Sequence, residues 1–94
     1  MIIVSGWLKL KPGTREAFVA SSLEAMALAR RSAGCRAFVV AADPIEADLV
    51  NVYECWDSEE HLLAFRDEGP EPEMLAMIVD AKVQRHQIAS SGPA

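Results

Sequence analysis

The feature that most constrains the fold is the order in which two hydrophobic periodicities follow each other along the chain. Apolar residues recur at every second position from Ile2 to Lys11, which is typical of a strand, and at helical spacings from Arg15 to Ser32. Two further strand-like runs cover Cys35–Ala42 and Leu49–Trp56. The polar segment 43–48 between them is too short for a helix, so these two runs are predicted to form a hairpin.

The second half of the chain predicts two helices and a final strand. Asp57–Ser58 is typical of a helix start, and this helix is expected to stop near Gly69–Pro70. A short helix is predicted over Glu73–Val79 and a strand over Lys82–Ile88. The resulting order, βαββαβ, is that of an α+β protein with a ferredoxin-like fold, in which an antiparallel four-stranded sheet carries its helices on one face.

The other face of the predicted sheet is left without helices. Period-two alternation places several apolar residues on it, namely Ile3, Trp7, Leu49, Tyr53 and Cys55. An apolar sheet face in contact with water favours association with a partner. We therefore expect a homodimer that pairs through this face, so that two sheets form a dimeric α+β barrel.

Length, charge and cysteine content indicate how many domains the chain forms, which partners it binds and where in the cell it is found. With 94 residues, the chain is expected to form one domain over 1–89 and a flexible tail over 90–94. The 14 Asp and Glu against 9 Lys and Arg argue against a nucleic-acid partner. No basic leader opens the sequence and no stretch is long enough to span a membrane, so no membrane partner is expected. Cys35 and Cys55 are predicted to be reduced, buried thiols of a cytoplasmic protein.

The most distinctive segment joins the third strand to the following helix. It reads Tyr53-Glu54-Cys55-Trp56 and then Asp57-Ser58-Glu59-Glu60. A strand with Tyr-Glu-x-Trp followed by Asp-Ser-x-Glu resembles the antibiotic biosynthesis monooxygenase family, and the likeness extends to segment 8–13 and to Gly34–Cys35. The resemblance implies a small dimeric α+β barrel with a pocket between the sheet and the helices, and a small aromatic molecule as its ligand.

Two residues of this segment are candidates for the site. The resemblance implies that Trp56 stacks on a flat aromatic substrate; the alternative is a core aromatic that only fills space. Glu54 shares the face of Trp56, where a buried carboxyl must either keep its proton, which suits a catalytic base, or have a cation such as Lys82 or Arg85 nearby. A structural hydrogen-bonding role for Glu54 is the alternative.

His61, on the helix after the segment, is a further catalytic candidate. An imidazole takes up protons near neutral pH, which suits proton transfer from a phenol or quinol; the alternative is an exposed helix histidine. No metal site is predicted, because two His and two Cys on four separate elements show no ligand spacing. The other residues expected to line the pocket and bind the substrate are Phe38, Leu62, Phe65 and Met77.

The chain also departs from the family pattern. Many members have a His nine or ten residues after the Trp, which ligates iron in the haem degraders, and here those places hold Phe65 and Arg66. The Asn that some members carry four residues before the Trp is Val52 here, and alternation turns Asn51 to the opposite face. Haem degradation is therefore disfavoured.

Three functional hypotheses follow. The first is a cofactor-independent monooxygenase in which a small phenol or quinol is deprotonated and its anion reacts with O2. The second is a non-catalytic protein of the same dimeric fold that binds a small molecule. The third is a haem-degrading monooxygenase.

Overall fold

A computed structural model describes residues 1–66 and 72–94. In it the elements follow each other in this order: β1 (Ile2–Leu10), α1 (Arg15–Arg30), β2 (Cys35–Ala42), β3 (Leu49–Trp56), α2 (Glu59–Arg66), α3 (Pro72–Met77) and β4 (Ile78–Gln87). The predicted end of α2 near Gly69–Pro70 lies outside the described residues.

The four strands form one antiparallel sheet in the order β2-β3-β1-β4. The register pairs Ile2 with Trp56 and Val4 with Glu54, so these residues share one face. It also pairs Ile3 with Cys55, and this pair lies on the opposite face. This arrangement confirms the predicted α+β ferredoxin-like fold and the assignment of residues to the two faces.

The start of β4 differs from the prediction. The apolar spacing over Glu73–Val79 predicted a helix, but α3 ends at Met77 and the strand begins at Ile78 rather than at Lys82. Ile78 pairs with Leu10, and the Lys11 N–H donates to the Met77 carbonyl at 2.8 Å. Pairing with β1 therefore extends the strand into residues whose local pattern favoured a helix, because β-branched residues fit the sheet well.

The β2–β3 connection is held by side chains as well as by the strands. Asp43 accepts hydrogen bonds through Oδ2 from the backbone N–H groups of Ile45 and Glu46. Arg15 donates to three backbone carbonyls at this loop, those of Asp43, Glu46 and Leu49. These bonds confirm the predicted hairpin and fasten it to the start of α1.

Among the described residues, the core between the sheet and the helices contains two groups of packed side chains. The first, which we call the Trp56 cluster, consists of Ile2, Val4, Ala29, Trp56 and Leu62, with Cys35, Phe38 and Phe65 packed against it. The second, the Leu10 cluster, consists of Leu10, Phe18 and Val50, with Leu8, Val19, Val40, Met74, Met77 and Ile78 packed against it. Gly6 and Val52 pair with each other midway along the sheet, and both are half-buried.

Gly6 marks a close approach of two strands. Its φ is +153°, and a Cβ at this position would lie 1.9 Å from the Lys82 carbonyl oxygen of β4. A side chain would require β4 to move away. Glycine therefore allows β1 and β4 to pair closely at the centre of the sheet.

The helix-free face presents the predicted apolar residues. Ile3 and Trp7 are half-buried there, and Tyr53 is 41% exposed. Asn51 lies opposite Trp7 on the same face, and its amide donates to Asp43 Oδ1 at 2.8 Å. Within residues 1–66 and 72–94, no helix combines the length and the apolar character needed to cross a membrane.

Candidate functional site

Trp56 is the last residue of β3 and lies at the centre of the Trp56 cluster. Its side chain is fully buried, with 0% exposed surface. The indole Nε1–H donates a hydrogen bond to Glu54 Oε1 at 3.0 Å. Because Glu54 and Trp56 are two residues apart on one strand, their side chains point to the same face and can form this bond.

Glu54 is buried, with 5% exposed surface, and both of its carboxylate oxygens have partners. Oε1 accepts from the Trp56 indole, and Oε2 accepts from Arg66 Nη2 at 3.1 Å. Arg66 lies in the last turn of α2, and its side chain is 48% exposed. The guanidinium therefore compensates the buried carboxylate while it keeps contact with water.

The cation expected beside Glu54 is present, but it is Arg66 and neither Lys82 nor Arg85. Lys82 pairs with Trp7 and so belongs to the helix-free face, and the guanidinium of Arg85 lies 2.8 Å from the carboxylate of Glu59. In the sequence, Arg66 differs from the family pattern but carries no local signal of an ion pair with Glu54. Its position in the last turn of the helix after β3 could have indicated the partner, because that helix packs back over the strand it follows.

Three aromatic rings meet at this end of the sheet. Phe65 stacks on Trp56, with ring centroids 5.4 Å apart and planes inclined by 29°. Phe38 meets Phe65 edge to face, with centroids 5.4 Å apart and an angle of 86°. Phe38 and Phe65 are both half-buried, so the aromatic group reaches the surface through them rather than through Trp56.

The strand β2 holds Phe38 in place. Phe38 pairs with Glu54 across β2 and β3, which puts both side chains on the helix face. Its carbonyl accepts a hydrogen bond from Arg30 Nε of α1 at 3.0 Å. The structure therefore brings together most of the predicted site residues: Phe38, Glu54, Trp56, Leu62 and Phe65.

Met77 lies apart from this group. It packs with Met74 against the Leu10 cluster, on the far side of Gly6 and Val52. The predicted pocket lining is therefore divided between the two clusters. A ligand that contacted both Phe65 and Met77 would extend across the half-buried centre of the sheet at Gly6 and Val52.

His61 belongs to the start of α2. Its Nδ1 lies 2.7 Å from Ser58 Oγ, and its backbone N–H donates to the same Oγ at 3.4 Å, so Ser58 caps the helix. The ring packs on Gly34, where a Cβ would come within 2.3 Å of His61 Cγ. His61 is half-buried, and these contacts place it beside the loop before β2.

Two ionisable groups near the site have shifted pKa values. Burial raises the pKa of the Cys35 thiol, and Cys35 packs against the Trp56 cluster. The hydrogen bond from the Arg36 guanidinium lowers the pKa of Asp57, which precedes the α2 cap. Among the described residues, no three His, Cys, Asp or Glu side chains come together as metal ligands.

A concave region lies elsewhere on the molecule, away from the Trp56 cluster. It is an open groove of about 490 Å³ between α1 and the end of β2, lined by Arg15, Glu16, Val19, Ala20, Leu23 and Ala42. None of these residues belongs to the Trp56 cluster. The guanidinium of Arg15 is already bound to the carbonyls of the β2–β3 loop.

The sequence and the fold were compared with those of known proteins. The family model for antibiotic biosynthesis monooxygenases matches residues 1–78, and no curated protein matches the sequence. A Chloroflexus aurantiacus J-10-fl structure named after these monooxygenases is 26% identical, with a TM-score of 0.74 over 97% of this chain and 96% of that one.

Two structures of lower identity show the same fold. A Nitrosomonas europaea protein, also named after these monooxygenases, is 13% identical and has a TM-score of 0.79 over 96% of this chain and 100% of that one. A conserved Bacteroides thetaiotaomicron VPI-5482 protein of unknown function is 16% identical and has a TM-score of 0.78 over 93% and 96%. With the family match over most of its length and the sheet topology described above, the chain belongs to the antibiotic biosynthesis monooxygenase family.

Proposed function

We propose that the protein is a cofactor-independent monooxygenase that acts on a small aromatic phenol or quinol. The observation that best supports this is the group of three rings formed by Phe38, Trp56 and Phe65 on the helix face of the sheet, beside Glu54 and Arg66. Aromatic walls with a few convergent polar groups suit a flat ligand that has a hydroxyl group. Family membership supports the reaction class.

In the proposed reaction, the bound hydroxyl loses its proton and the electron-rich anion reduces O2. One oxygen atom enters the ring and the other leaves as water, so that a hydroquinone and O2 give a hydroxyquinone and water. The substrate supplies all the electrons, and the proposal assigns no cofactor. The protein contributes orientation of the ring, exclusion of water and a proton acceptor.

The contacts support different roles for the two catalytic candidates. Both oxygens of Glu54 are engaged, by Trp56 and by Arg66, which suits a residue that positions Trp56 better than one that accepts a proton. We assign proton acceptance to His61, whose ring is half-buried and is oriented through Nδ1 by Ser58. Substrate binding is assigned to Trp56, Phe38 and Leu62. Phe65 covers Trp56 at this place, and Met77 packs against the Leu10 cluster.

The test measures oxygen uptake with a panel of hydroquinones and anthrone-like phenols, and follows ¹⁸O2 into product and water. We expect uptake above the blank for at least one compound, with one labelled atom in the product. His61→Gln should lower kcat by about 100-fold or more, which is the lower end of the effect of losing a general base. His86→Gln is the matched control, because His86 pairs with Ile3 on the helix-free face. Uptake at the blank rate for every compound would exclude the proposal.

A non-catalytic protein that binds a small molecule is the second candidate. The engagement of both Glu54 oxygens favours it, as does the burial of Trp56, because neither group is free in this conformation. Binding of panel compounds without any oxygen uptake would select it.

Haem degradation does not fit the residues present. Phe65 has no ligating atom, and the guanidinium of Arg66 is bound to Glu54. A haem titration is expected to give no Soret shift, and a clear shift would reverse this conclusion.

The proposal includes a homodimer formed through the helix-free sheet face. The apolar character of this face supports it, since Tyr53 and Val39 are 41% and 37% exposed there in the single chain. Pairing of two such faces would bury these side chains.

A further inference from the structure

Phe65 covers the ring that a ligand would be expected to contact. Trp56 has no exposed surface, and Phe65 stacks on it at 5.4 Å. Phe65 also meets Phe38 edge to face at 5.4 Å. The Phe65 side chain thus contacts two aromatic residues of the sheet, and its own shape is that of a flat six-membered ring.

The two stacked residues differ in how firmly they are held. Trp56 is the last residue of a central strand, and its Nε1–H is bound to Glu54, which is bound in turn to Arg66. Phe65 makes apolar contacts, lies on α2 and is half-buried. A helix in a globular protein derives most of its stability from packing rather than from its own propensity. Displacing the Phe65 side chain therefore requires less free energy than displacing that of Trp56.

We infer that Phe65 occupies the ring subsite of the ligand, so that a flat aromatic molecule binds by replacing the Phe65 side chain in its contacts with Trp56 and Phe38. The aromatic class of the ligand rests on the proposed function. The replacement conserves both ring contacts, because the incoming ring stacks on Trp56 and takes the place of Phe65 in the edge-to-face pair with Phe38. A saturated, non-planar ring of the same size cannot stack on Trp56 in this way.

A consequence for affinity distinguishes this arrangement from a simple pocket wall. If Phe65 lined the pocket beside the ligand, its removal would weaken binding. If Phe65 occupies the subsite, it competes with the ligand. Its removal then strengthens binding, because no free energy is spent on moving the Phe65 side chain out of the subsite before the ligand can bind. The sign of the change in Kd therefore decides between the two arrangements.

The experiment measures binding of 2-naphthol by calorimetry under nitrogen, so that no oxygenation contributes. The ligand control is decahydro-2-naphthol, which has the same hydroxyl on a saturated, non-planar skeleton. The variants are Phe65→Ala and the milder Phe65→Leu, which keeps an apolar side chain should the alanine variant fold poorly. Leu63→Ala is the matched control, because Leu63 lies on the same helix and is exposed.

We expect 2-naphthol to bind roughly two- to tenfold more tightly to Phe65→Ala than to the unmodified protein, the fold-change equivalent to one aromatic pair. Leu63→Ala should leave Kd unchanged, and decahydro-2-naphthol should bind at least tenfold more weakly. In a ¹H–¹⁵N spectrum, 2-naphthol should shift the indole signal of Trp56 and not that of Trp7, the assignment being made with Trp7→Phe.

Three results would overturn the inference: weaker or equal binding to both Phe65 variants, equal binding of the saturated analogue, or no binding of 2-naphthol to any form. The proposed monooxygenase activity is tested separately, by oxygen uptake. A protein that binds 2-naphthol more tightly without Phe65 but consumes no oxygen with any phenol supports this inference and excludes the oxygenase.

Discussion

The Trp56 indole donates a hydrogen bond to Glu54 Oε1 at 3.0 Å, and both side chains are buried on the helix face of β3. The bond satisfies the only polar atom of the indole and one oxygen of the carboxylate. Arg66 satisfies the other oxygen from α2. The three residues therefore link the end of the sheet to the helix that carries Phe65, and they fix the ring against which a ligand is proposed to bind.

Removal of the Glu54 carboxyl is expected to destabilise the fold. Glu54→Ala leaves the buried Trp56 N–H without an acceptor and opens a cavity, so unfolding free energy in urea should fall by about 2–4 kcal/mol. Glu54→Gln keeps an acceptor for Trp56 and loses the ion pair with half-exposed Arg66, at a cost of about 1 kcal/mol. Exposed Glu60→Gln is the control, and equal losses for both Glu54 variants would contradict the assigned bonds.

A side chain at position 6 is expected to disturb the centre of the sheet. In Gly6→Ala, the added Cβ meets the Lys82 carbonyl, so thermal unfolding should show a loss of about 1–3 kcal/mol. Gly92→Ala should leave stability unchanged, because no atom lies within 4 Å of a Cβ there. Unchanged stability of Gly6→Ala would mean that β1 and β4 do not approach as closely as described.

Acid is expected to weaken the β2–β3 hairpin through Asp43. The pKa of Asp43 is lowered by hydrogen bonds from the Glu46 N–H, the Asn51 amide and the Ile45 N–H. A lowered folded-state pKa means that the stabilisation is present above the unfolded-state pKa of about 3.9 and is lost as pH falls through the folded value. Urea midpoints between about pH 6 and pH 2 should therefore fall less in Asp43→Asn than in the unmodified protein. Exposed Glu24→Gln should keep the full fall, and an identical fall in Asp43→Asn would contradict the argument.

Cys35 is expected to react slowly with alkylating reagents. Burial raises the pKa of its thiol, which reduces the reactive thiolate at neutral pH. In a Cys55→Ala background, iodoacetamide should modify Cys35 more slowly than a free cysteine peptide, and the rate should still be rising at the ordinary thiol pKa of about 8.5, where that of the peptide begins to level off. A rate plateau already reached at neutral pH would instead indicate an activated thiol.

The proposed dimer should depend on the helix-free face. Sedimentation at low micromolar concentration is expected to give twice the chain mass for the unmodified protein. Tyr53→Lys places a charge among the apolar residues of that face and should shift the particle to the monomer. Leu63→Lys, on the exposed side of α2, should leave the mass unchanged. A monomeric unmodified protein would exclude the proposed pairing.

Much of the fold could be predicted because its signals are local. Hydrophobic periodicity depends only on near neighbours in the chain, and it places β2 and β3 at the observed Cys35–Ala42 and Leu49–Trp56. The same period of two puts Glu54 and Trp56 on one face, so their proximity also followed from the sequence. The start of β4 at Ile78 could not be predicted this way, because pairing with distant Leu10 overrides the helical spacing of its own neighbourhood.

The contacts within the candidate site were harder to predict from the sequence, because they depend on tertiary structure. Local patterning was enough to predict which residue types meet on the helix face: a carboxylate, an indole and several apolar rings. Only the fold decided that the carboxylate pairs with Arg66 rather than with Lys82 or Arg85, that Phe65 covers Trp56, and that Met77 belongs to another cluster. These contacts join a strand to a helix packed over it, and their geometry follows from how the helix lies on the sheet, which periodicity along one chain does not encode.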